Sequence, residues 1–283
     1  MNLSTKIVVQ YLLPQHILSW LCGKLASCRV KWLKNFLIIC FIKKYKVDLT
    51  EAVEENPYNY ADFNSFFTRA LKDGMRPLPA EMNTLVSPAD GVISQIGKIR
   101  ENSILQAKGF DYEVAALLGD TTIAKEFING AFATIYLAPS NYHRVHMPIG
   151  GILKKMLYIP GKLFSVNKQT AETIPNLFSN NERVVAIFDT EVGKIAMILV
   201  GAMIVGGIET TWAGTINPHH EKELQITDYS EQKIIFNRGD EMGRFKLGST
   251  VILLFTEDSV KWHENLIATQ TVKMGMSLGC RLG

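Results

Sequence analysis

Between about residue 84 and residue 257 the chain repeats one pattern: short runs of Val, Ile, Leu and Phe separated by Gly, Asp, Asn and Pro. Gly91-Val92-Ile93-Ser94-Gln95-Ile96-Gly97, Ala133-Thr134-Ile135-Tyr136-Leu137 and Val184-Val185-Ala186-Ile187-Phe188 are typical. Ala196-Met197-Ile198-Leu199-Val200, Lys233-Ile234-Ile235-Phe236 and Thr250-Val251-Ile252-Leu253-Leu254-Phe255 continue it. Such runs, bounded by turn-forming residues, predict strands. So many short strands predict packed antiparallel sheets rather than a doubly wound α/β domain. Glu113 to Leu118 reads as a short helix, and Asp62 as the N-cap of another ending near Asp73-Gly74. Arg76-Pro77-Leu78-Pro79 then breaks regular structure.

The first 47 residues follow a different pattern. From Pro14 onward Ile17, Leu18, Leu21, Leu25 and Cys28 fall on one helical stripe, with Gln15, His16, Ser19, Gly23 and Ser27 opposite. Trp32 to Ile42 is apolar on most faces, with Lys31, Lys34, Lys43 and Lys44 at its ends. The formal charge of +3 is uninformative until it is divided along the chain. Eight Lys/Arg and no acid lie in residues 1–47, which leaves 22 basic and 27 acidic side chains downstream.

Five readings compete for this head. A membrane-spanning helix needs roughly 20 mostly apolar residues. The uncharged stretches here are 17 residues (between Lys6 and Lys24, with Gln10, Pro14, Gln15 and His16 inside) and eight (between Lys34 and Lys43). Leu25-Ala26-Ser27-Cys28 is similar to a lipoprotein cleavage box, but Lys24, Pro14 and His16 spoil the apolar core that export requires. Basic residues interleaved with aliphatic ones argue against nucleic acid. Packing on the protein's own core fits the periodicity, but the absence of any acid argues against it. Basic ends and Trp around short apolar helices suit a headgroup-level segment, so a peripheral membrane-surface anchor is expected. The expected architecture is α+β. An amphipathic helical membrane-binding region (1–47) precedes a β-rich catalytic domain of packed antiparallel sheets (48–283).

With 47% apolar and 20% charged residues, disorder is excluded. Cys22, Cys28, Cys40 and Cys280 form no C-x-x-C pair, so no zinc ribbon or thioredoxin-like motif is present and a reducing compartment is the default. Gly201-Ala202-Met203-Ile204-Val205-Gly206-Gly207 lacks the spacing of a phosphate-binding loop. His143 and His146 lie close in sequence, but the other available ligands, His219, His220 and Cys280, are scattered, so no metal is expected.

Four segments hold polar residues in unusual company. Ser87-Pro88-Ala89-Asp90-Gly91 carries a turn signal, and Tyr142-His143-Arg144-Val145-His146-Met147-Pro148 holds two histidines. Gly161-Lys162-Leu163-Phe164-Ser165-Val166-Asn167 reads as a loop. Gly243-Arg244-Phe245-Lys246-Leu247-Gly248-Ser249-Thr250-Val251 puts Gly-Ser just before an apolar strand. The first and the last are compatible with plain turn chemistry. Together they supply Asp, His and Ser from distant parts of the chain, the raw material of a nucleophilic triad. Ser249 is not in a G-x-S-x-G elbow, which disfavours an α/β-hydrolase.

Ser87-Pro88-Ala89-Asp90-Gly91, Tyr142 to Pro148 and Leu247-Gly248-Ser249-Thr250 resemble the three signatures of the phosphatidylserine decarboxylases of bacteria. Phe66-Phe67-Thr68-Arg69-Ala70-Leu71 and Gly161 to Asn167 match further segments of that family, so the resemblance spans about residues 57–256. It implies that Ser249 attacks the Gly248 carbonyl and cleaves the chain into β (1–248) and α (249–283) parts. Ser249 would then become a covalent pyruvoyl cofactor, with no metal and no pyridoxal phosphate. His146 would be the base and Asp90 its orienter, completing the charge-relay triad with Ser249. The pyruvoyl ketone would form a Schiff base with phosphatidylserine and act as the electron sink for loss of CO2, with His143 the candidate proton donor. Implied partners are the lipid substrate, an anionic membrane surface and the chain's own two fragments as a heterodimer that could oligomerise further, but not nucleic acid. The implied location is the cytoplasmic face of the cell membrane, in phospholipid biosynthesis. Two rivals stay open on the residues alone: a lipid-directed serine hydrolase, and a membrane-bound β-sandwich that binds without catalysis.

Overall fold

The computed structural model describes residues 10–107, 109–203, 207–216, 223–246 and 249–282. Gly248 of the expected cleavage site lies outside the described residues, as do His219 and His220. Among the described residues two helices, Gln15–Ala26 and Lys31–Tyr45, precede a β-rich body. No described helix is long and apolar enough to cross a membrane.

The body is built on a nine-stranded sheet whose neighbours all pair antiparallel. At its centre the strand Ser249–Phe255 lies between Gly193–Val200 and Ala131–Leu137, and all seven of its residues are buried. Its alternate residues enter two different cores. Ile252 and Leu254 join Ile198 and Val200 on one face, while Val251, Leu253 and Phe255 join Met197 and Leu199 on the other. Burial on both faces is why these strands read as continuous apolar runs instead of alternating ones. A smaller sheet, Gly214–Ile216, Ile208–Thr210, Glu241–Phe245 and Arg144–His146, carries one of the candidate histidines.

The predicted strands are present, most of them extended by one or more residues. The helix capped by Asp62 forms with a full capping box to Ser65 but ends at Phe67, not near Gly74. Thr68 turns its hydroxyl back onto the Asn64 carbonyl, and Leu71 pairs in extended form with Ala52, which stops the helix early. Asp90-Gly91 is no hairpin turn, because Gly91 begins a strand. A Cβ there would stand 2.4 Å from the Tyr136 carbonyl oxygen, so the close approach requires glycine.

The head packs on the body by one face only. Ile38, Ala26 and Val47 share a small core with Tyr60, Phe63, Phe66 and Phe67. In the first helix the buried residues are Gln15, Ser19 and Ala26, whereas Ile17, Leu21 and Leu25 are exposed. The polar side of the stripe faces the protein: Gln15 Oε1 accepts from the Leu163 backbone N–H (2.8 Å). Lys34 is buried in the second helix with its Nζ on the Tyr58 carbonyl (2.8 Å), while Trp32 and Phe36 are exposed.

Candidate active site

The candidate residues collect at one end of the large sheet. Arg183, Val200, Thr250, Tyr136 and Val92 form a cross-strand row, and the positions next toward the strand ends are Glu182, Gly201, Ser249, Leu137 and Gly91. Asp90 lies just beyond Gly91. Ser249 opens the central strand, is wholly buried, and its Oγ has no hydrogen bond. A buried hydroxyl left unpaired costs about 1–3 kcal/mol. The neighbouring Thr250 Oγ1 is also unpaired.

His143 is tied to the same end. Its Nε2 lies 3.1 Å from the carbonyl of Ala138, the residue after Leu137, and its own carbonyl accepts from Phe245 N–H (3.0 Å). Because a carbonyl only accepts, Nε2 carries the proton and Nδ1 keeps its lone pair. That Nδ1 is buried with no hydrogen bond. Phe67 stacks on the ring, with centroids 4.0 Å apart. Burial, reinforced by the Arg69 guanidinium, pushes the His143 imidazole down to about 3. The ring is therefore neutral near pH 7, and in this arrangement it offers an acceptor.

His146 ends the strand Arg144–His146, and its backbone N–H donates to the Pro88 carbonyl (2.8 Å), which docks this strand on the Ser87–Gly91 segment. Its Nδ1 faces the Gly239 carbonyl (2.9 Å), so Nδ1 carries the proton and Nε2 accepts from Tyr142 Oη (3.0 Å). Burial lowers the His146 imidazole, while the Gly239 bond and the carboxylates of Glu241 and Asp90 oppose that shift. Burial also pushes the Tyr142 phenol up to about 12. Asp90 does not bond either histidine. Its oxygens accept from Arg76 Nε (2.8 Å) and Nη2 (2.5 Å) and from Met274 N–H (2.9 Å). The Gly239 carbonyl thus orients His146 here, and Asp90 acts on it through space.

Sequence reading missed several of these groups. Tyr142 lies beside His143 in the Tyr142–Pro148 segment, but nothing in the sequence marks its hydroxyl as a partner of His146. Arg76 was read only as part of a breaker, and Gly239 carries no signal beyond a turn. Glu182 is also new: only 4% exposed, it has an unpaired Oε2, and burial pushes its carboxyl up to about 7.

A family profile described as phosphatidylserine decarboxylase matches residues 63–280, which include every described site residue. The chain belongs to the phosphatidylserine decarboxylase family. A second profile, described as PSD, matches residues 5–46, so the helical head is matched separately from the body. The chain is 53% identical over 280 residues to a phosphatidylserine decarboxylase proenzyme of Pseudomonas fluorescens strain Pf-5, covering 98% of this chain and 97% of that relative. A protein of the same name from Ectopseudomonas mendocina is 53% identical over 277 residues, 96% of each chain. One from Pseudomonas putida strain KT2440 is 52% identical over 276 residues, again 96% of each. Decarboxylases made as proenzymes are therefore full-length relatives, and the Ser249 end of the sheet lies within the matched body.

Proposed function

We propose that this chain is a self-maturing decarboxylase that converts phosphatidylserine to phosphatidylethanolamine at a membrane surface, with a pyruvoyl group derived from Ser249. The observation that carries the reading is Ser249 itself: a wholly buried hydroxyl with no hydrogen bond, at the start of the most buried strand. An unpaired buried hydroxyl is a poor structural device but a sensible reactant that maturation consumes. In maturation, Ser249 Oγ forms a bond to the Gly248 carbonyl carbon while the Gly248–Ser249 amide breaks, and the hydroxyl proton ends on the freed amine. His146 carries that proton, accepting it at Nε2 once Tyr142 Oη yields its place. Removal of the Ser249 α-proton then expels the Gly248 carboxylate, and water replaces the nitrogen at position 249, which leaves as ammonia.

The residues present fit a pyruvoyl group at position 249. The site is closed to bulk water, and neutral His143 keeps a lone pair at Nδ1; a proton taken there makes the imidazolium that burial disfavours, so it is readily given back. When present, the pyruvoyl group supplies a ketone that draws electrons from an amine-bearing substrate as CO2 departs. The strand Ser249–Phe255 pairs along its length with Ala131–Leu137, and along all but Ser249 with Gly193–Val200, so the 35-residue product stays in the sheet after cleavage. The outward apolar residues of the head and its basic residues other than the buried Lys34 are suited to an anionic bilayer.

The experiment is a denaturing gel and intact mass of freshly made protein beside Ser249→Ala. Two fragments split at Gly248–Ser249, with a blocked N-terminus on the smaller one, are expected, and Ser249→Ala should stay whole and inactive. A single uncut chain that a serine-directed phosphonate labels would instead make this a hydrolase. Cleavage in Ser249→Ala would remove the serine from the reaction.

A further inference from the structure

Asp90 is caged by residues that no part of the maturation chemistry uses. Arg76 grips its carboxylate with two nitrogens, 2.8 and 2.5 Å away, and the two side chains are each 8% exposed. The same guanidinium donates to Glu51 (2.6 Å), and Glu51 accepts in turn from Lys273 Nζ (2.9 Å). Beside it the Met274 N–H donates to the same Asp90 oxygen that Arg76 Nε holds. A fork that binds both carboxylate oxygens fixes orientation as well as charge, which a lysine cannot do. Glu51 is held down to about 2 by Arg76 and Lys273, so the outer ring of the cage stays ionised at any physiological pH.

The cage also bridges the expected cut. Glu51, Arg76 and Asp90 lie upstream of position 248, whereas Lys273 and Met274 lie downstream. Ser87 extends the same junction, donating to Met276 O (2.8 Å) and accepting from Gly275 N–H (3.0 Å). Asp90 is therefore fully set only when the Lys273–Met276 segment has docked.

We propose that Arg76 is a positioning residue for self-cleavage: with Glu51 and the docked Lys273-Met274 segment it fixes the Asp90 carboxylate that acts on His146. This rests on the role assigned to Asp90 above. Arg76 itself touches no reacting atom.

The test measures cleavage rates of the full chain in four forms: wild type, Asp90→Asn, Arg76→Gln and the double variant, each checked for a cooperative melt. If Arg76 acts through Asp90, Arg76→Gln slows cleavage by at least roughly 100-fold, and adding it to Asp90→Asn slows cleavage little further. Guanidinium ion added to Arg76→Gln should restore part of the rate and leave Asp90→Asn unmoved. Arg76→Lys should fall in between, because it keeps the charge and loses the fork, and it serves where Arg76→Gln does not fold. Folded Arg76→Gln or Arg76→Lys cleaving at the wild-type rate would overturn the proposal. So would equal slowing by Arg76→Gln in both backgrounds, which marks a merely structural arginine. Wild-type cleavage in Asp90→Asn would instead remove the role of Asp90 on which the proposal rests, and cleavage in Ser249→Ala would fail the functional reading as a whole.

Discussion

The helical head and the strand-built body solve opposite problems with similar residues. In the body, the Ser249–Phe255 strand buries side chains on both faces, and unpaired polar atoms gather at one end of its sheet, on Ser249, Thr250, His143 and Glu182. In the first helix the order is reversed: Gln15 and Ser19 turn inward, while Ile17, Leu21 and Leu25 stand 61%, 50% and 43% exposed. Water alone would reward neither arrangement. The difference teaches that each region carries features that stability in water does not repay: unpaired buried polar atoms in the body and exposed apolar side chains in the head. The two are also joined: Phe41 of the head lies edge-on to Phe67, and Phe67 stacks on His143.

The largest effects should come from the sheet end. His146→Ala should slow self-cleavage by several orders of magnitude, on the scale of roughly 10⁴ known for a triad member. Asp90→Asn should slow it by roughly 100-fold or more, because Asp90 acts on His146 without a bond to it. His143→Ala should mature and then decarboxylate at least roughly 100-fold more slowly, as expected when a proton-transfer group is lost. Quantitative gels and release of labelled CO2 separate the two steps. Were Asp90→Asn and His146→Ala to mature at the normal rate, the unpaired groups at this end would be incidental, and the contrast with the head would lose its chemical half.

How much of this could be read beforehand follows from the kind of signal each part leaves. Strands buried on both faces leave uninterrupted apolar runs, so the core sheet was legible in Val184–Phe188 and Thr250–Phe255. The dense polar motifs around Asp90, His143, His146 and Ser249 were equally visible. The ion cage was not, because Glu51, Arg76 and Lys273 are separated by up to 222 residues and each alone reads as surface charge. Glu182 was hidden for a related reason: what sets it apart is burial two strands from Ser249, a property of register and not of composition. The early end of the Phe63–Phe67 helix was lost because the pairing of Leu71 with Ala52, a tertiary contact, overrode local propensity. The inward turn of Gln15 likewise depends on its partner Leu163 N–H, 148 residues away.

Glu182 gives the next effect in size, and its sign is definite. Its carboxyl sits at about 7 in the folded protein against an ordinary value of 4.5, so the folded state holds the proton more tightly than the unfolded chain. Its contribution is complete below the unfolded value and declines as pH rises through 7. The change is on the order of 3 kcal/mol if this group acts alone. Buried His143 acts with the opposite sign over an overlapping window, because its lowered value makes stability fall as pH drops below about 6.5. Between about pH 4.5 and 6.5 the two slopes oppose each other, so urea midpoints of the uncleaved Ser249→Ala chain should change little there on account of these groups. In Glu182→Gln, with His143 acting alone, they should rise from about pH 5 to about 6.5. A Glu182→Gln profile identical to that of the parent between about pH 5 and 7 would show that the body holds no strained carboxyl at this end.

The smallest effect tests the head, and point changes in the full chain test it better than deletion. Removing residues 1–47 would uncover Phe63, Phe66 and Phe67, and so disturb the ring stacked on His143. Ile17→Ser, Leu21→Ser and Leu25→Ser combined leave that core alone, since all three side chains already face outward. Each is about half exposed, so seating the three in a bilayer is worth about 2 kcal/mol, or roughly 30-fold in vesicle affinity. The exposed Lys24, Lys31, Lys43 and Lys44 should add about 1 kcal/mol each near an anionic surface, decaying within a Debye length. Flotation with phosphatidylserine vesicles should therefore show the triple variant bound more weakly at every salt concentration. Added salt should weaken both proteins by a similar factor, because the charges are shared, and self-cleavage should be unchanged. Equal flotation of variant and wild type would mean that the outward stripe touches something other than lipid, and the head would then need a protein partner to explain its exposed face.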